Sequence, residues 1–187
     1  MQSNIKSYYI KHENKRFIQG DIFQKISVIT INKNGDVEET TIPYSIIVTQ
    51  DCDLEQCSNN PPQIMQNSKF EQINQYLPNI LIIPAFQADI FRAGEHWKPI
   101  NIIQEKINSD KFKLLKQNKI DRYHFLPNFE SVFPELILDF KVYFTIPFKE
   151  ISEKYVGNYL ITINELYRES LSQRFCNYLS RIGLPEL

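Results

Sequence analysis

The sequence predicts an α+β protein built on a small, partly open β barrel, with a helical insertion and a docked C-terminal helix. Three observations predict this class. Short β-branched segments separated by turn residues recur through residues 20–162, a charged segment with helical spacing interrupts them at 91–119, and an apolar stripe with helical spacing occupies 163–183. Because 187 residues suffice for one well-packed core and are few for two, we predict a single domain over residues 1–187.

A β hairpin is the first element that the sequence predicts. Gly20-Asp21-Ile22 opens a β-rich stretch, and apolar residues alternate with polar ones over residues 26–31. Asn34-Gly35 is the strongest signal for a two-residue hairpin turn in the chain, and residues 37–42 are predicted to form the return strand.

Two buried strands and an acidic loop are predicted next. After Pro43, residues 44–49 are apolar and β-branched, which is typical of a central strand. The acidic loop 50–54 follows that strand and is the first candidate for a functional site. Residues 80–83 predict a second buried strand, which Pro84 is expected to stop.

Helical patterns lie on both sides of that second strand. Ser68 precedes Glu71 by three positions, which is a capping box and predicts the start of a short helix. Between residues 91 and 119 the pattern is helical and charged, with Ile103 and Ile107 one turn apart. We interpret this segment as an insertion that covers one side of the β core.

Two further strands are predicted at residues 122–126 and 136–146. The second has the clearest alternation in the chain, which predicts a sheet with one solvent-exposed face that is able to bind a ligand. The residues expected to face inward are Leu138, Phe140, Val142, Phe144 and Ile146, and those expected to face outward are Asp139, Lys141, Tyr143 and Thr145.

A docked helix is predicted at the C-terminal end. Thr162 and Glu165 form a second capping box, and Gly183 and Pro185 are expected to end the helix. Its apolar stripe is predicted to belong to the core, and Leu179 widens it enough to suggest a dimer or partner surface. The stripe consists of Tyr167, Leu171, Phe175, Tyr178 and Ile182.

Composition and charge exclude several classes of protein. The 21 basic and 22 acidic residues give a net charge of −1, so the chain lacks the basic field with which proteins grip duplex DNA. Only 5 glycines occur, and they are too dispersed for a P-loop or a dinucleotide fingerprint. No apolar run approaches the roughly 20 residues of a membrane span, which predicts a soluble, cytoplasmic protein with no membrane partner.

The 3 cysteines predict reduced thiols rather than a disulfide framework, since they are odd in number and contain no CxxC pair. A zinc site built from Cys52, Cys57 and one histidine matches no closed structural spacing. Burial as small hydrophobic side chains is the more common role of such cysteines. We therefore predict no metal and no cofactor.

The acidic loop offers two interpretations. If it continues the alternation of the strand, Asp51 and Asp53 point to the same side and suit a divalent cation or a general base. The alternative, which we favour, is a turn whose carboxylates accept hydrogen bonds from loop backbone N–H groups. Cys52 as a nucleophile would need His96 or His124 beside it, and nothing in the local sequence supports that arrangement.

Mixtures of cations and aromatic rings predict a candidate binding surface. Such mixtures suit stacked single-stranded bases with phosphates nearby, although the same residues also occur as ordinary surface chemistry, with Trp97 anchoring the insertion. The first segment contains Arg92, His96, Trp97 and Lys98, and the second contains Arg122, Tyr123 and His124.

Four short motifs stand in an order that a known family shares: Gly20-Asp21-Ile22 at the first long strand, then Ile42-Pro43, then residues 45–51, then residues 80–84. This order resembles that of the MazF/PemK-like toxins over residues 20–86, with a weaker match at 139–151. Members of that family are SH3-like barrels, commonly dimeric, that cut single-stranded RNA without a metal. The resemblance therefore implies a partly open SH3-like barrel here.

Two departures from the family pattern bear on catalysis. In the family, an arginine before the proline of the second motif and a threonine or serine after the proline of the third activate the 2′-hydroxyl and stabilise the phosphorane. Here Ile42 precedes Pro43 and Ala85 follows Pro84. Since neither side chain supplies a cation or a hydroxyl, the sequence predicts that family-type cleavage is absent.

We therefore predict a MazF-like binding module of a toxin–antitoxin or phage-defence system, which recognises single-stranded RNA or a protein partner. One alternative is a metal-independent endoribonuclease with displaced groups: His124 as base, Arg122 or Arg92 as phosphate ligand, and Asp51 orienting the histidine. Another is a structural adaptor that docks a larger effector through its C-terminal helix. A homodimer is compatible with each.

Overall fold

In the computed structural model, the chain is described over residues 7–13, 16–31, 34–59, 76–100 and 102–181. The architecture is mixed α+β, with an antiparallel, strongly curled half-barrel sheet. The α+β class is thus confirmed, and the curled sheet fits a partly open barrel. The SH3-like identity stays a prediction.

Two compact units divide the chain. The first unit comprises residues 1–85 and 143–164, and the second unit comprises residues 86–142 and 165–187. The segment 91–119, predicted as an insertion, lies within the second unit, which also contains the C-terminal helix.

Eight strands and five α-helices occur in the described ranges. The strands are β1 (Tyr9–Ile10), β2 (Asp21–Ile31), β3 (Val37–Ile47), β4 (Asn79–Gln87), β5 (Tyr123–Leu126), β6 (Leu136–Asp139), β7 (Phe144–Pro147) and β8 (Tyr159–Ile163). The helices are α1 (Asp51–Asn59), α2 (Ala88–Ala93), α3 (Ser109–Lys116), α4 (Phe148–Lys154) and α5 (Glu165–Leu179). None of these helices has both the length and the apolar character of a membrane span.

The first unit is organised around an antiparallel sheet in the order β1-β8-β2-β3-β4, with β7 also paired with β4. The predicted hairpin is confirmed as β2 and β3, whose register runs from Ile22 opposite Ile46 to Ile31 opposite Val37. Asn34-Gly35 lies between the last described pair, Ile31 and Val37, as the prediction requires, and residues 32–33 lie outside the described residues.

Two prolines lie inside strands rather than at their ends, contrary to the prediction. β3 runs continuously through Pro43, and β4 continues through Pro84 to Gln87. The φ of proline is compatible with a strand, and proline lacks only the backbone N–H donor. A strand therefore tolerates proline at a position where that N–H would not bond to a neighbouring strand. The half of β3 that contains Pro43 pairs with β2, and no second described strand flanks it.

The predicted strand 136–146 is wrong, because a turn divides it into β6 and β7. Val142 N–H donates to the Asp139 carbonyl at 2.9 Å, which closes a β-turn, and Lys141 N–H donates to Asp139 Oδ1 at 3.0 Å. The aspartate thus ends the strand through its own side chain. All four residues of β6 are buried, so this segment has no solvent-exposed face.

The predicted helical insertion is only partly helical. The segment 102–108, with Ile103 and Ile107, is not a helix, because α3 begins after Asn108, whose side chain accepts a hydrogen bond from Lys111 N–H at 2.9 Å. The predicted capping box at Ser68 and Glu71 lies outside the described residues.

The C-terminal helix is confirmed as α5, but its predicted capping box is wrong. Thr162 lies in β8, where its hydroxyl donates to Asp21 Oδ1 at 2.6 Å instead of capping the helix. Leu171 and Phe175 are buried, as the apolar stripe predicts, and the Phe175 ring lies 5.4 Å from that of Phe140. Ile182, Gly183 and Pro185 lie outside the described residues.

Each unit has its own apolar core. In the first unit, the core is formed by Phe23, Ile26, Ile47, Leu54, Ile80, Ile82, Ile146 and Ile151. In the second unit, it is formed by Phe86, Ala88, Phe91, Ile107, Leu115, Tyr123 and Ile137. Burial of such large side chains is the main stabilising contribution to either unit.

Candidate functional site

The acidic residues predicted as a loop form the first turn of α1, so the interpretation in which Asp51 and Asp53 share one orientation, which we did not favour, does not hold. Residues two positions apart on a helix point about 200° apart. Asp51 is occupied by Arg16, whose two Nη atoms donate to it at 3.1 and 3.0 Å, and by Gln19 N–H at 3.2 Å. Asp53 is exposed on another side of the helix. Across the described ranges, no cluster of three or more histidine, cysteine or acidic residues is suited to hold a metal.

The two positions to which the resemblance to MazF/PemK-like toxins would assign the cleavage chemistry belong to the core. Ile42 and Ala85 are both buried, Ile42 opposite Ile26 and Ala85 opposite Tyr44. A buried aliphatic side chain can neither donate to a phosphate nor activate a hydroxyl. The structure therefore offers no group at either position for cleavage of the family type.

His124, the candidate general base, is buried in β5 with 1% of its surface exposed. Burial, and secondarily the positive charge of Arg174, lowers its pKa to about 3. Neither ring nitrogen has a hydrogen-bond partner among the described residues. A base so weak and so far from solvent does not suit proton abstraction near neutral pH.

His96 and Trp97 belong to the core of the second unit rather than to an open surface. The His96 ring stacks on Phe91 with centroids 4.2 Å apart, and burial lowers its pKa to about 4. The Trp97 indole meets Phe86 edge-on at 4.9 Å. These contacts favour the anchoring role that the sequence left open for Trp97.

Arg122 and Tyr123, predicted as part of a binding surface, do not form an open one, because Tyr123 is buried and the cation of Arg122 is bound to a buried carboxylate. Arg122 Nε donates to Asp139 Oδ1 at 2.8 Å and Nη2 donates to the other oxygen, while Asp139 is 0% exposed. This bidentate hydrogen bonding raises the pKa of Arg122. The carbon of the guanidinium also lies 5.1 Å from the centre of the Tyr123 ring, so Arg122 packs against the edge of the core of the second unit.

A second group of cations and rings does face solvent, and we call it the cation–aromatic ladder: Arg92, Phe112, Lys116 and Phe125. The Arg92 guanidinium lies 5.0 Å from the Phe112 ring centre, and the Lys116 ammonium lies 5.9 Å from Phe112 and 5.3 Å from Phe125. Both rings are half-buried. The ladder therefore presents two aromatic rings and two cations on one contiguous surface.

Three elements of the second unit position the ladder. Phe112 and Lys116 are four residues apart on α3 and therefore share a face, while Arg92 lies in the last turn of α2. Phe125 lies in β5, where its N–H donates to Asn118 Oδ1 at 2.7 Å. Lys116 also pairs with Glu135 at 2.6 Å, and Arg92 donates to Ser109 Oγ at 2.9 Å.

Arg92 is the one member of the ladder that the sequence predicts as a site residue, and Phe112, Lys116 and Phe125 were not predicted. The available signal was local, since residues 106–119 contain five lysines and one acidic residue, Asp110, with Phe112 and Lys116 at helical spacing. What the sequence did not reveal was that Phe125, from β5, extends this face.

The first unit contains a buried carboxylate, Asp21, that was not predicted as a site residue. Asp21 is almost fully buried and accepts hydrogen bonds from Ile18 N–H at 2.9 Å, Thr162 Oγ1 at 2.6 Å and His12 Nε2 at 2.9 Å. The Tyr159 hydroxyl lies 2.8 Å from Thr162 Oγ1. This network ties the segment 7–13 and β8 to the start of β2, which is a structural role.

The backbone that carries Arg92 depends on Gly94. Gly94 ends α2 with a φ of +78°, its carbonyl accepts from Gln104 N–H at 2.9 Å, and the Arg92 carbonyl accepts from Ile107 N–H at 2.9 Å. A Cβ at Gly94 would lie 2.1 Å from the Gln104 carbonyl oxygen. The segment 102–107 therefore packs against α2 only because this position has no side chain.

We expect Gly94→Ala to lower the free energy of unfolding by about 2 kcal/mol or more, because the substitution adds both left-handed strain and a backbone clash. Urea unfolding monitored by fluorescence measures the effect. Gly157→Ala is the matched control, since a Cβ at Gly157 would meet no described atom within 4 Å and Gly157 has no left-handed φ. Equal losses in the two variants would contradict the role of the close approach.

No protein-family model matches the chain, and no curated protein matches it. The resemblance to MazF/PemK-like toxins therefore stays a prediction from the motifs between Gly20 and Pro84.

Proposed function

We propose that this protein is a binding module that holds single-stranded RNA along the cation–aromatic ladder and does not cleave it by the family-type mechanism. The observation that carries this proposal is the contiguity of two half-buried rings with two cations on one face. Bases stack on aromatic rings whatever their sequence, and cations beside the rings contact the phosphates that follow.

The distribution of charge supports a local rather than a global nucleic-acid surface. The whole chain has a net charge of −1, whereas residues 106–119 carry five lysines against one aspartate, a local charge of +4. A duplex needs a broad basic field, while a short single strand needs only a few cations beside stacking rings. The ladder has the few cations and stacking rings that a short single strand needs, and the chain lacks the broad basic field that a duplex needs.

The proposed absence of catalysis is supported by how the candidate groups are used. His124 is buried with a lowered pKa, Arg122 is bound to Asp139, and Asp51 is bound to Arg16. None of these side chains is both accessible and uncommitted. The toxin–antitoxin or phage-defence setting enters this proposal from the family resemblance alone.

We expect Lys116→Gln to weaken binding of a labelled single-stranded oligouridine RNA about threefold to tenfold, because one phosphate contact is lost. The slope of the logarithm of the binding constant against the logarithm of salt concentration should decrease in magnitude by about one. Glu135→Gln is expected to tighten binding, since it frees the Lys116 ammonium from its carboxylate partner. Fluorescence anisotropy at low and moderate salt measures both effects.

Lys149→Gln provides the matched control, because Lys149 is an exposed helical lysine of the first unit that also has a glutamate partner, Glu153. If Lys149→Gln weakens binding as much as Lys116→Gln, the ladder is not the site. The same samples are analysed on a gel, where RNA cleavage would favour the displaced-site ribonuclease. If RNA is neither retained nor cut, a protein partner becomes the better proposal.

A further inference from the structure

The two rings of the cation–aromatic ladder share one cation. The Lys116 ammonium lies 5.9 Å from the centre of the Phe112 ring and 5.3 Å from the centre of the Phe125 ring. In a single strand of RNA, two successive bases are joined by one phosphodiester, which carries one negative charge. Two rings near one positive charge therefore match two bases near one phosphate.

Asn118 connects the two elements that carry these rings. Its Oδ1 accepts a hydrogen bond from the Phe125 N–H at 2.7 Å, and its Nδ2 donates to the Phe125 carbonyl at 3.5 Å. Its own N–H donates to the Leu115 carbonyl of α3 at 2.9 Å. Asn118 thus bonds to β5 through its side chain and to α3 through its backbone, which holds Phe125 beside Lys116.

The backbone of Asn118 suits this residue type. Its φ of +55° is left-handed, and asparagine and glycine are the residues that most often follow a helix in this conformation. Of these two, only asparagine has a side chain that can bond to a neighbouring strand. The position therefore combines the end of α3 with a fixed connection to Phe125.

We propose that the ladder recognises a dinucleotide step of single-stranded RNA, in which two bases stack on Phe112 and Phe125 and the phosphodiester that joins them pairs with Lys116. Asn118 is the positioning residue that fixes the separation of the two rings. The phosphodiester replaces the Glu135 carboxylate, which otherwise accepts from the Lys116 ammonium at 2.6 and 2.8 Å. This inference rests on the proposed function and adds to it the number of bases and the place of the phosphate.

The first test compares two ligands of equal charge by NMR titration of the full chain. One ligand is the dinucleotide ApA, and the other is adenosine whose 3′-phosphate carries a methyl ester, so that it has the same phosphodiester charge and one base. We expect ApA to bind about tenfold more tightly, because its second base also stacks on a ring. An ApA analogue with an uncharged methylphosphonate link should bind about threefold or more weakly than ApA, and Lys116→Gln should abolish that difference.

The second test uses Asn118→Gly, which keeps the left-handed backbone and removes both bonds to Phe125. We expect this variant to weaken ApA binding about fivefold and to change binding of the one-base ligand less than about twofold, because one ring suffices for one base. Asn158→Ala is the control, since Asn158 Nδ2 likewise donates to a strand carbonyl, that of Gln24 at 2.9 Å in the first unit. It should leave the affinity for both ligands unchanged.

The outcomes separate this inference from the proposed function. If the unmodified protein fails to bind labelled oligouridine, the proposed function is wrong and this inference falls with it. If oligouridine binds but ApA and the one-base ligand bind equally, only the dinucleotide step is overturned. A loss in Asn118→Gly that is equal for both ligands, or that Asn158→Ala reproduces, would show that Asn118 supports the fold without setting the distance between the rings.

Discussion

The substitution Arg122→Met is expected to lower the free energy of unfolding by about 3–5 kcal/mol, which is the largest effect predicted for any single side chain here. The reason is that Asp139 is 0% exposed and would keep a buried carboxylate without its bidentate partner. Lys141 N–H, which also donates to that carboxylate, cannot neutralise its charge. Urea unfolding measures the loss, and Trp97, the chain's only tryptophan, reports on the second unit.

Two comparisons decide whether burial of the carboxylate causes that loss. Arg16→Met breaks a bidentate pair of similar geometry, but Asp51 is 32% exposed, so we expect a loss of about 1 kcal/mol or less. In the double variant Arg122→Met/Asp139→Leu, most of the stability should return, because both charges are removed together. If the double variant is as unstable as Arg122→Met, packing by the arginine stem and not the lone charge is responsible.

The second large effect is acid sensitivity of the second unit. In the folded protein, burial lowers the pKa of His124 to about 3 and that of His96 to about 4, whereas an unfolded histidine has a pKa of about 6.5. Above pH 6.5 both states are neutral and stability does not depend on these groups. As the pH falls below 6.5, only the unfolded chain binds protons, so stability is lost down to about pH 4 for His96 and about pH 3 for His124.

Each such histidine changes the folding equilibrium by up to about tenfold per pH unit inside its window, so the two together predict a change of up to about a hundredfold per unit just below pH 6. Urea unfolding by Trp97 fluorescence between about pH 7 and pH 4.5 measures the slope. The double variant His96→Phe/His124→Phe keeps aromatic packing and should flatten it. If the slope is unchanged in that variant, carboxylates elsewhere cause the acid sensitivity.

Local signals in the sequence predicted some elements well. The β2–β3 hairpin follows from alternation and from Asn34-Gly35, and α5 follows from an apolar stripe that is continuous in sequence. These patterns depend on neighbours within a few positions, which is why they can be recognised without knowledge of the fold. The apolar character of Ile42 and Ala85 was likewise visible in the residue types themselves.

Other predictions were wrong where a side chain bonds to a partner that is distant in sequence. Asp51, predicted to accept hydrogen bonds within its own loop, instead begins α1 and accepts from Arg16, 35 positions away. Asp139 interrupts an alternating segment because its carboxylate binds Arg122 and the following backbone. Thr162, expected to cap α5, instead binds Asp21. In each case a carboxylate accepts hydrogen bonds from donors that the fold places close to it. The spacing of residues in the sequence does not show which donors these will be.

The sequence by itself determined the α+β class, the hairpin, the C-terminal helix, the near-neutral net charge and the lack of a cation or hydroxyl at Ile42 and Ala85. Only the tertiary structure decided which partners and surroundings the candidate groups have. It buried His96 and His124, committed Arg122 to Asp139, and brought Phe125 of β5 beside Lys116 of α3. The physical reason is that residue type sets what a group can do, while burial and long-range pairing decide whether it stays accessible.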